Sequence, residues 1–591
     1  MDTISTQEVT VKTNEVLLHE DGGWLHFTDA QQIVVAQELD DVLPALREIE
    51  QLIETHSWYA AGFLSYEAAA AFDPALQTHA SAGFPYLWFG LYPKPRAVTL
   101  LKPAQPKEIL DWQPTIDRAT YNAAIRQIKD HIAEGRTYQV NYTLRLETDF
   151  TGSPWDFFLD LAQSRNSQAA YVDTGQHVIC SASPELFFRL DGNTITCRPM
   201  KGTTRRGRTT EEDDERSEWL RNSAKNRAEN VMIVDMVRND LGRVANIASV
   251  HVPRLFEAER YPTLWQLTST VTAETDRSLI EILTALFPSA SITGAPKVST
   301  MKLIAELENT PRRIYTGSIG TIAPQRKAKF NVAIRTALID RESQRAEYGV
   351  GGGIVWDSTS TDEYAEALLK AQVLAGQSAS FSLLETMLWT PQEGFFLHEK
   401  HLARMRDSAN YFDIPIAKEK LEEYLEQISS SFHMPQRVRV LLDQDGNLAS
   451  ESQPFEAEAN SEMLRVSLAK QPVDSNDVFL FHKTTRRAVY ESAREGLEDF
   501  DDVLLYNESR ELTEFTIGNL VVELDGQLLT PPIACGALPG TFRAYLTESG
   551  QVVERTIHID DLKNCTNVFR VNSIRKWQEV TLQGYLPKLR L

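Results

Sequence analysis

The sequence predicts two α+β units that meet near residue 375. Three observations lead there. β-patterned runs bounded by turn residues mix with amphipathic helical stretches on both sides of that point. The stretch "AGQSAS", residues 375–380, is small and polar, as linkers are. A chain of 591 residues also has room for two large units. The expected division is 1–374, a linker at 375–380, and 381–591.

In chain order, "AAGFLSYEAAAAFD" and "YLWFGLY" read as core elements of the first unit. "YNAAIRQIKDHIAEG" is a helix, because Tyr121, Ile125, Ile128 and Ile132 recur at helical spacing and Gly135 suits its C-terminal cap. "SPELFFRLDGNTITCRPMKG" is a hairpin turning at Asp191 and Gly192. A three-residue loop would put Glu185 opposite Pro199 and on the face of Lys201; a two-residue loop would put Glu185 and Lys201 on opposite faces. The acidic run "EEDDE" at 211–215 reads as a mobile, solvated loop, with a lid as the alternative. "KNRAENVMIVDMVRNDLGRV" is a helix carrying Glu229, "GSIGTIA" and "FNVAIRTALI" are strand-like, and "TDEYAEALLKAQVL" is a helix with Glu363, Glu366 and Lys370 on one side. Beyond the linker, "ARMRDSANYF" and "REGLEDF" read as helical. "DVFLFHKTTRRAVYESA" reads as a strand running into Lys483 and then a helix. "NLVVELDGQLLTPP" is a hairpin on Asp525-Gly526, and "LPGTFRAYLTESG" starts a helix at Gly540 and Thr541.

Composition narrows the function. With 42% hydrophobic and 24% charged residues the chain is of ordinary globular composition. A net charge of -22 repels a phosphate backbone, so nucleic acid is not an expected partner. No apolar run is long enough to span a bilayer and "MDTISTQEVT" lacks signal-peptide regions, so a cytoplasmic protein is expected. Cys180, Cys197, Cys535 and Cys565 lack metal-ligand or disulfide spacing and read as buried thiols.

Two lysines pose the chemical question. Lys201 sits in "RPMKGTTR" between an apolar methionine and a glycine; burial beside Glu185 would lower its pKa and free its lone pair, so the two can serve as nucleophile and general acid. A structural ion pair at a strand end is the simpler reading of that pair alone. The helix faces that carry Glu229 and the Glu363, Glu366 and Lys370 set read most simply as solvated, but two carboxylates from separate helices would suit Mg²⁺, which takes one or two carboxylates plus substrate oxygens. Glycine clusters in "ASITGAPKV", "TGSIGTI" and "YGVGGGIV" expose backbone N–H groups that can hold a carboxylate, and none matches a nucleotide fingerprint. Lys483 before a helix is what a covalently held pyridoxal phosphate (PLP) needs, and Glu514 is placed to keep a pyridine nitrogen protonated.

Over roughly 115–372, the blocks "GRTYQVNYT", "SASPELFF", "PMKGT", "AENVMIVDMVRNDLGRV", "FPSASITGAPK", "GSIG", "AIRT" and "GGGIVWDS" occur in the order of the chorismate-utilising enzymes, which the first unit resembles. The lysine of "PMKGT" is similar to the branch that aminates chorismate to 4-amino-4-deoxychorismate. The resemblance implies that Lys201 attacks ring carbon C2 while the 4-hydroxyl leaves with help from Glu185. It also implies Mg²⁺ on Glu229 and Glu366, and substrate contacts from Arg335, Lys370, Gly351, Gly352 and Thr293. Gln266 departs from the histidine common there, and cannot shuttle a proton near neutral pH.

Over roughly 381–580, "LLETMLW", "HLARMRDSANYF" and "NSIRKW" resemble the fold-type IV PLP enzymes, although the glycine-rich opening is shortened to "SFSLLETM". That resemblance implies Lys483 as the cofactor lysine and acid-base catalyst, Glu514 on the ring nitrogen, and Arg404, Gly540 and Thr541 at the phosphate. The expected architecture is therefore a chorismate-utilising fold, antiparallel sheets flanked by helices, fused to a two-subdomain class IV aminotransferase-like PLP unit. The expected function is 4-aminobenzoate synthesis from chorismate and ammonia for folate, the second unit eliminating pyruvate. No cysteine sits in a glutaminase-like elbow, so a separate glutamine amidotransferase subunit is expected to supply ammonia, and a homodimer through the PLP unit is implied by the family's habit. Two alternatives are an anthranilate or isochorismate synthase fused to a branched-chain or D-amino-acid aminotransferase, and a catalytically inert scaffold that regulates the glutaminase.

Overall fold

The computed structural model describes residues 9–583 except 21, 82, 101–109, 163–167, 371–380 and 457–462. The expected linker at 375–380 lies outside the described residues. The chain divides into one unit of Met1–Arg205 with Ser217–Gln377 and a second of Arg206–Arg216 with Ser378–Leu591.

The elements that carry the first site are, in chain order, helix α1 (Arg118–Ala133), strands β1 (Gln139–Asp149), β2 (Leu186–Asp191), β3 (Thr194–Arg198) and β4 (Met200–Arg205), helices α2 (Thr210–Asn222) and α3 (Ala224–Gly242), strands β5 (Leu264–Glu274), β6 (Lys327–Val332), β7 (Thr336–Asp340) and β8 (Arg345–Ile354), and helix α4 (Ser360–Lys370). Two ten-stranded antiparallel sheets form this unit, one containing β1, β8 and β7 as neighbours, the other β4, β5, β3, β2 and β6. Side chains from both sheets, among them Val16, Phe63, Trp88, Ile179, Ile319 and Leu338, share one buried cluster, so the sheets pack face to face. The outer faces are covered by helices, α1 over the first sheet and α3 over the second. Strands β1 and β8 are thereby buried on both faces over most of their length, whereas β4, which carries Lys201, lies at the end of its sheet and is only partly covered.

Hairpin β2–β3 resolves the register. Asp191 pairs with Thr194 and Leu190 with Ile195, a two-residue turn; a bulge between Leu186 and Arg189 then shifts the pairing by one, so that Leu186 faces Arg198. The turn alone would send Glu185 and Lys201 to opposite faces, and the bulge reverses that. "FNVAIRTALI" is not one strand: it breaks at Ala333–Arg335, where Arg335 takes φ 50°, and resumes as β7.

The acidic run is not a mobile loop. It forms the start of α2, and Arg206–Arg216 belongs to the second unit. Buried Asp213 accepts from Arg206 Nε at 2.7 Å and Glu212 from Arg208 Nη2 at 2.6 Å. Arg206 Nη2 donates to the Tyr411 carbonyl, and the Tyr411 hydroxyl to the Gly207 carbonyl, at 2.9 and 2.7 Å. The cations of the adjoining "RRGR" neutralise the acidic turn, so the run is paired charge on a helix rather than a solvated loop.

In the second unit, strands β9 (Leu383–Thr390), β10 (Gln436–Leu442) and β11 (Leu448–Pro454) belong to a four-stranded antiparallel sheet whose inner face packs on helix α5 (His398–Tyr411). A separate eight-stranded mixed sheet contains β12 (Leu512–Phe515), β13 (Gly518–Leu524) and β14 (Gln527–Thr530). Helix α6 spans Ala488–Arg494 and α7 spans Thr541–Glu548 with Gly540 as its N-cap. The β13–β14 hairpin turns on Asp525 and Gly526, both at positive φ. Two expectations fail here. "REGLEDF" is not helical, because α6 ends at Arg494 and the chain turns at positive-φ Gly496. The run before Lys483 is not a strand: Val478–Leu480 is a single 3-10 turn, after which Lys483 is stitched to β9 by the Leu384 N–H on its carbonyl. Among the described residues, no helix is long and apolar enough to cross a membrane. All four cysteines are free and buried.

Candidate active sites

Lys201, on β4, extends its amine to 3.6 Å from the Glu229 carboxylate of α3, both side chains about one-fifth exposed. Its backbone carbonyl accepts from Asn230, whose own oxygen is held by Ser269, so two buried side chains fix the strand. A Cβ on Gly353 of β8 would lie 2.6 Å from the Lys201 amine and 2.7 Å from Gln139 Nε2, so a side chain there would push both of these side-chain ends aside.

Glu185, immediately before β2, is buried, and burial pushes its carboxyl up to about 7 despite a 2.7 Å hydrogen bond from the Ser291 hydroxyl, the Met200 N–H and the nearby Lys201 charge. A carboxyl poised near neutrality can arrive protonated and give its proton to a departing hydroxyl.

Arg335, in the break between β6 and β7, lies over the Tyr261 ring with 5.6 Å to the centroid, and burial lowers its pKa. Thr293 is buried and its hydroxyl donates to the Ser289 and Ala290 carbonyls at 3.2 and 3.3 Å, within its own loop. Gly351 and Gly352 lie in β8 opposite Thr143 and Tyr142 of β1. Glu366 is exposed on α4, its charge acting on Tyr121 of α1; the Lys370 side chain lies outside the described residues. Gln266, on β5, donates to the Gly202 carbonyl at 2.9 Å and so braces β4 beside Lys201.

Gln139 and Ser291 were not singled out by sequence. Gln139 is fully buried with both amide atoms unpartnered, beside the Lys201 amine. Its only signal was membership of the "GRTYQVNYT" block. Among the described residues no group of three or more His, Cys, Asp and Glu converges.

In the second unit Lys483, Glu514, Arg404, Gly540 and Thr541 all line one cavity of about 1610 Å³. Burial, with the Arg404 charge beside it, lowers the Lys483 amine to about 8. Glu514 is buried on β12 and pushed up to about 7 by that burial; the Tyr490 hydroxyl donates to it at 2.8 Å and Asn519 at 3.2 Å. Arg404 is clamped by Glu385 through Nε and Nη2 at 2.8 and 2.6 Å, and its Nη1 donates to the Pro539 carbonyl. Glu385 also binds His401 at 2.6 Å, and His401 reaches the Thr541 hydroxyl at 3.3 Å. A Cβ on Gly540 would lie 1.8 Å from Asn519 Oδ1, so the turn into α7 requires glycine.

PLP fits this donor set: the half-buried Lys483 with its amine lining the cavity, a carboxyl 3% exposed, and the N-terminus of α7 share the cavity. Glu385, His401, Tyr490 and Asn519, which hold these groups, had no sequence signal beyond membership of the residue blocks quoted above.

The model of the chorismate binding enzymes matches residues 13–376 and that of the class IV amino-transferases residues 382–582. Aminodeoxychorismate synthase component 1 of Escherichia coli is 40% identical over 270 residues, 45% of this chain and 59% of that protein. Aminodeoxychorismate synthase of Streptomyces griseus is 35% identical over 355 residues, 59% of this chain and 45% of that protein. The chain thus spans about half the length of these curated relatives. The crystal structure of anthranilate synthase component I from Streptococcus pneumoniae superposes with TM-score 0.50 at 24% identity, over 63% of this chain and 94% of that one, a likeness of fold. On the match that spans residues 13–376, and with a class IV amino-transferase domain following it, the chain belongs to the chorismate binding enzyme family.

Proposed function

We propose that the chain makes 4-aminobenzoate from chorismate and ammonia in two steps, one per unit. The observation that carries the reading is the meeting of Lys201, buried Glu185 and the unpartnered Gln139 amide in the first unit, while Lys483 and Glu514 share a cavity in the second. Relatives whose printed name is aminodeoxychorismate synthase support the first step.

In the first step the Lys201 amine adds to ring carbon C2, the 4-hydroxyl leaves with the proton of Glu185, and ammonia adds at C4 as the Lys201–carbon bond breaks. Chorismate and ammonia become 4-amino-4-deoxychorismate and water. Ser291 holds one oxygen of Glu185 and so aims its proton. Glu229 lies 3.6 Å from the Lys201 amine, and with Glu366 it would hold Mg²⁺. Arg335 faces substrate carboxylates.

In the second step 4-amino-4-deoxychorismate loses pyruvate and becomes aromatic. PLP, when bound, supplies the electron sink for ionising the C–H bond beside the amine. Lys483 binds the cofactor and, with a pKa of about 8, takes up and returns a proton near neutrality. Glu514, held by Tyr490 and Asn519, partners the ring nitrogen, while the α7 N-terminus at Gly540 and Thr541, with Arg404, receives the phosphate. A separate glutaminase is the source of ammonia, in keeping with the "component 1" in relatives' names.

The test is incubation of the full chain with chorismate, ammonium, magnesium and PLP. Wild type releases 4-aminobenzoate, Lys483→Ala accumulates 4-amino-4-deoxychorismate, and Lys201→Ala leaves chorismate unconsumed. Formation of 2-aminobenzoate or isochorismate, or turnover with glutamine in place of ammonium, sinks the corresponding part.

A further inference from the structure

Each amination leaves Glu185 one proton short. Its proton departs with the 4-hydroxyl as water, and ammonia ends as the ammonium group of the product when the Lys201–carbon bond breaks. Lys201 returns as a neutral amine, but Glu185 is left a carboxylate. Over one turnover, chorismate, ammonia and one proton from solvent become the ammonium form of 4-amino-4-deoxychorismate and water. Glu185 is 4% exposed, so a buried acid has to be recharged before it acts again.

A cavity of about 10 Å³, the room that one water takes up, lies against Glu185. Its other polar side chains are those of Ser289 and Asp240, so a water there has three polar neighbours. Asp240, on α3, acts on this space: the Cys197 thiol, which also lines it, is pushed up by burial and by the Asp240 charge. Asp240 also meets the Lys297 amine at 2.8 Å, and the two side chains are 15% and 16% exposed, so the pair reaches solvent. Ser289 is tied to the acid as well. Ser291 donates to Glu185 at 2.7 Å, which leaves its oxygen to accept from the Ser289 hydroxyl 3.0 Å away. A pair that only joined α3 to the helix Lys297–Leu307 would have no need of a polar cavity between it and Glu185.

We infer that Asp240 and Lys297 form the solvent end of a proton relay that recharges Glu185 through one water held by Ser289. The inference rests on the proposed amination and names the groups that let it repeat. The water gives a proton to the Glu185 carboxylate and takes one through Asp240 from the Lys297 ammonium, which solvent refills. Each O–H or N–H bond broken along the path is remade from the solvent side, and one proton enters per turnover. Asp240 acts through Glu185 and not on the substrate.

The experiment follows chorismate consumption by the full chain with ammonium and magnesium, once with enzyme in excess, for a single turnover, and once in steady state. In Asp240→Asn the single turnover keeps the wild-type rate, because Glu185 starts protonated. Its steady-state rate falls about 10-fold or more and gains a larger solvent deuterium isotope effect, as asparagine cannot pass a proton on. Asp240→Glu restores a titrating carboxyl and recovers most of the steady-state rate. Val237→Ile fills the cavity with one methylene, spares the ion pair, and splits the two regimes in the same way. Equal slowing of both regimes in these variants, as a structural role would give, or a wild-type steady state in either Asp240→Asn or Val237→Ile, overturns the relay. Failure of the wild type to consume chorismate with ammonium instead sinks the amination reading itself.

Discussion

Replacing Glu185 by glutamine separates its chemistry from its place in the fold. The carboxyl is fully buried and holds its proton up to about pH 7, against 4.5 when exposed, and this span corresponds to about 3 kcal/mol. The folded protein binds this proton more tightly than the unfolded chain does. Stability from this group is therefore complete below pH 4.5 and is lost as pH rises through 7. Glutamine does not titrate and still accepts from the Ser291 hydroxyl. Urea unfolding of the first unit at pH 4 and pH 8.5 should show E185Q gaining about 3 kcal/mol on wild type between the two values, because all other titrating groups cancel. The same variant should lose about 10²- to 10⁴-fold in ammonium-dependent conversion of chorismate, the usual contribution of a positioned acid. A variant with the pH slope of wild type, or with full amination activity, would refute the assignment of a protonated Glu185 as the acid.

Other consequences follow from single groups. Covalent capture of PLP by the apoprotein, read by borohydride fixation, should rise from pH 6 and level off above about pH 8 as Lys483 loses its proton, and vanish in Lys483→Ala. Asp213→Ala leaves the Arg206 guanidinium, 7% exposed, without its carboxylate; breaking such a buried pair costs about 3–5 kcal/mol. The second unit, followed by thermal loss of bound PLP, should unfold earlier in that variant, and an unchanged transition would show the 206–216 segment to be dispensable. Gly353→Ala should slow amination of chorismate while the PLP unit keeps its activity, since the added methyl displaces the Lys201 amine and the Gln139 amide; an unchanged rate would show that neither needs its present position.

Local chemistry was legible before any coordinates. Helical spacing around Tyr121, the Asp525-Gly526 turn and the glycine entry to α7 depend on neighbours a few residues apart, and each appears where the pattern puts it. The residue blocks around Lys201 and Lys483 likewise carried the resemblance to the two families whose models match the chain. The failures share another cause. Whether Glu185 and Lys201 meet depends on one bulge in β2, and a one-residue slip inverts every side chain of a strand. The acidic run at 211–215 is ordered through Tyr411, some two hundred residues away. Gln139 gains significance only when β1 and β8 bring it beside Lys201. Sequence alone determined which groups were available and which short segments would form. Tertiary structure decided which of them converge, because convergence is a property of contacts between segments that share no local pattern.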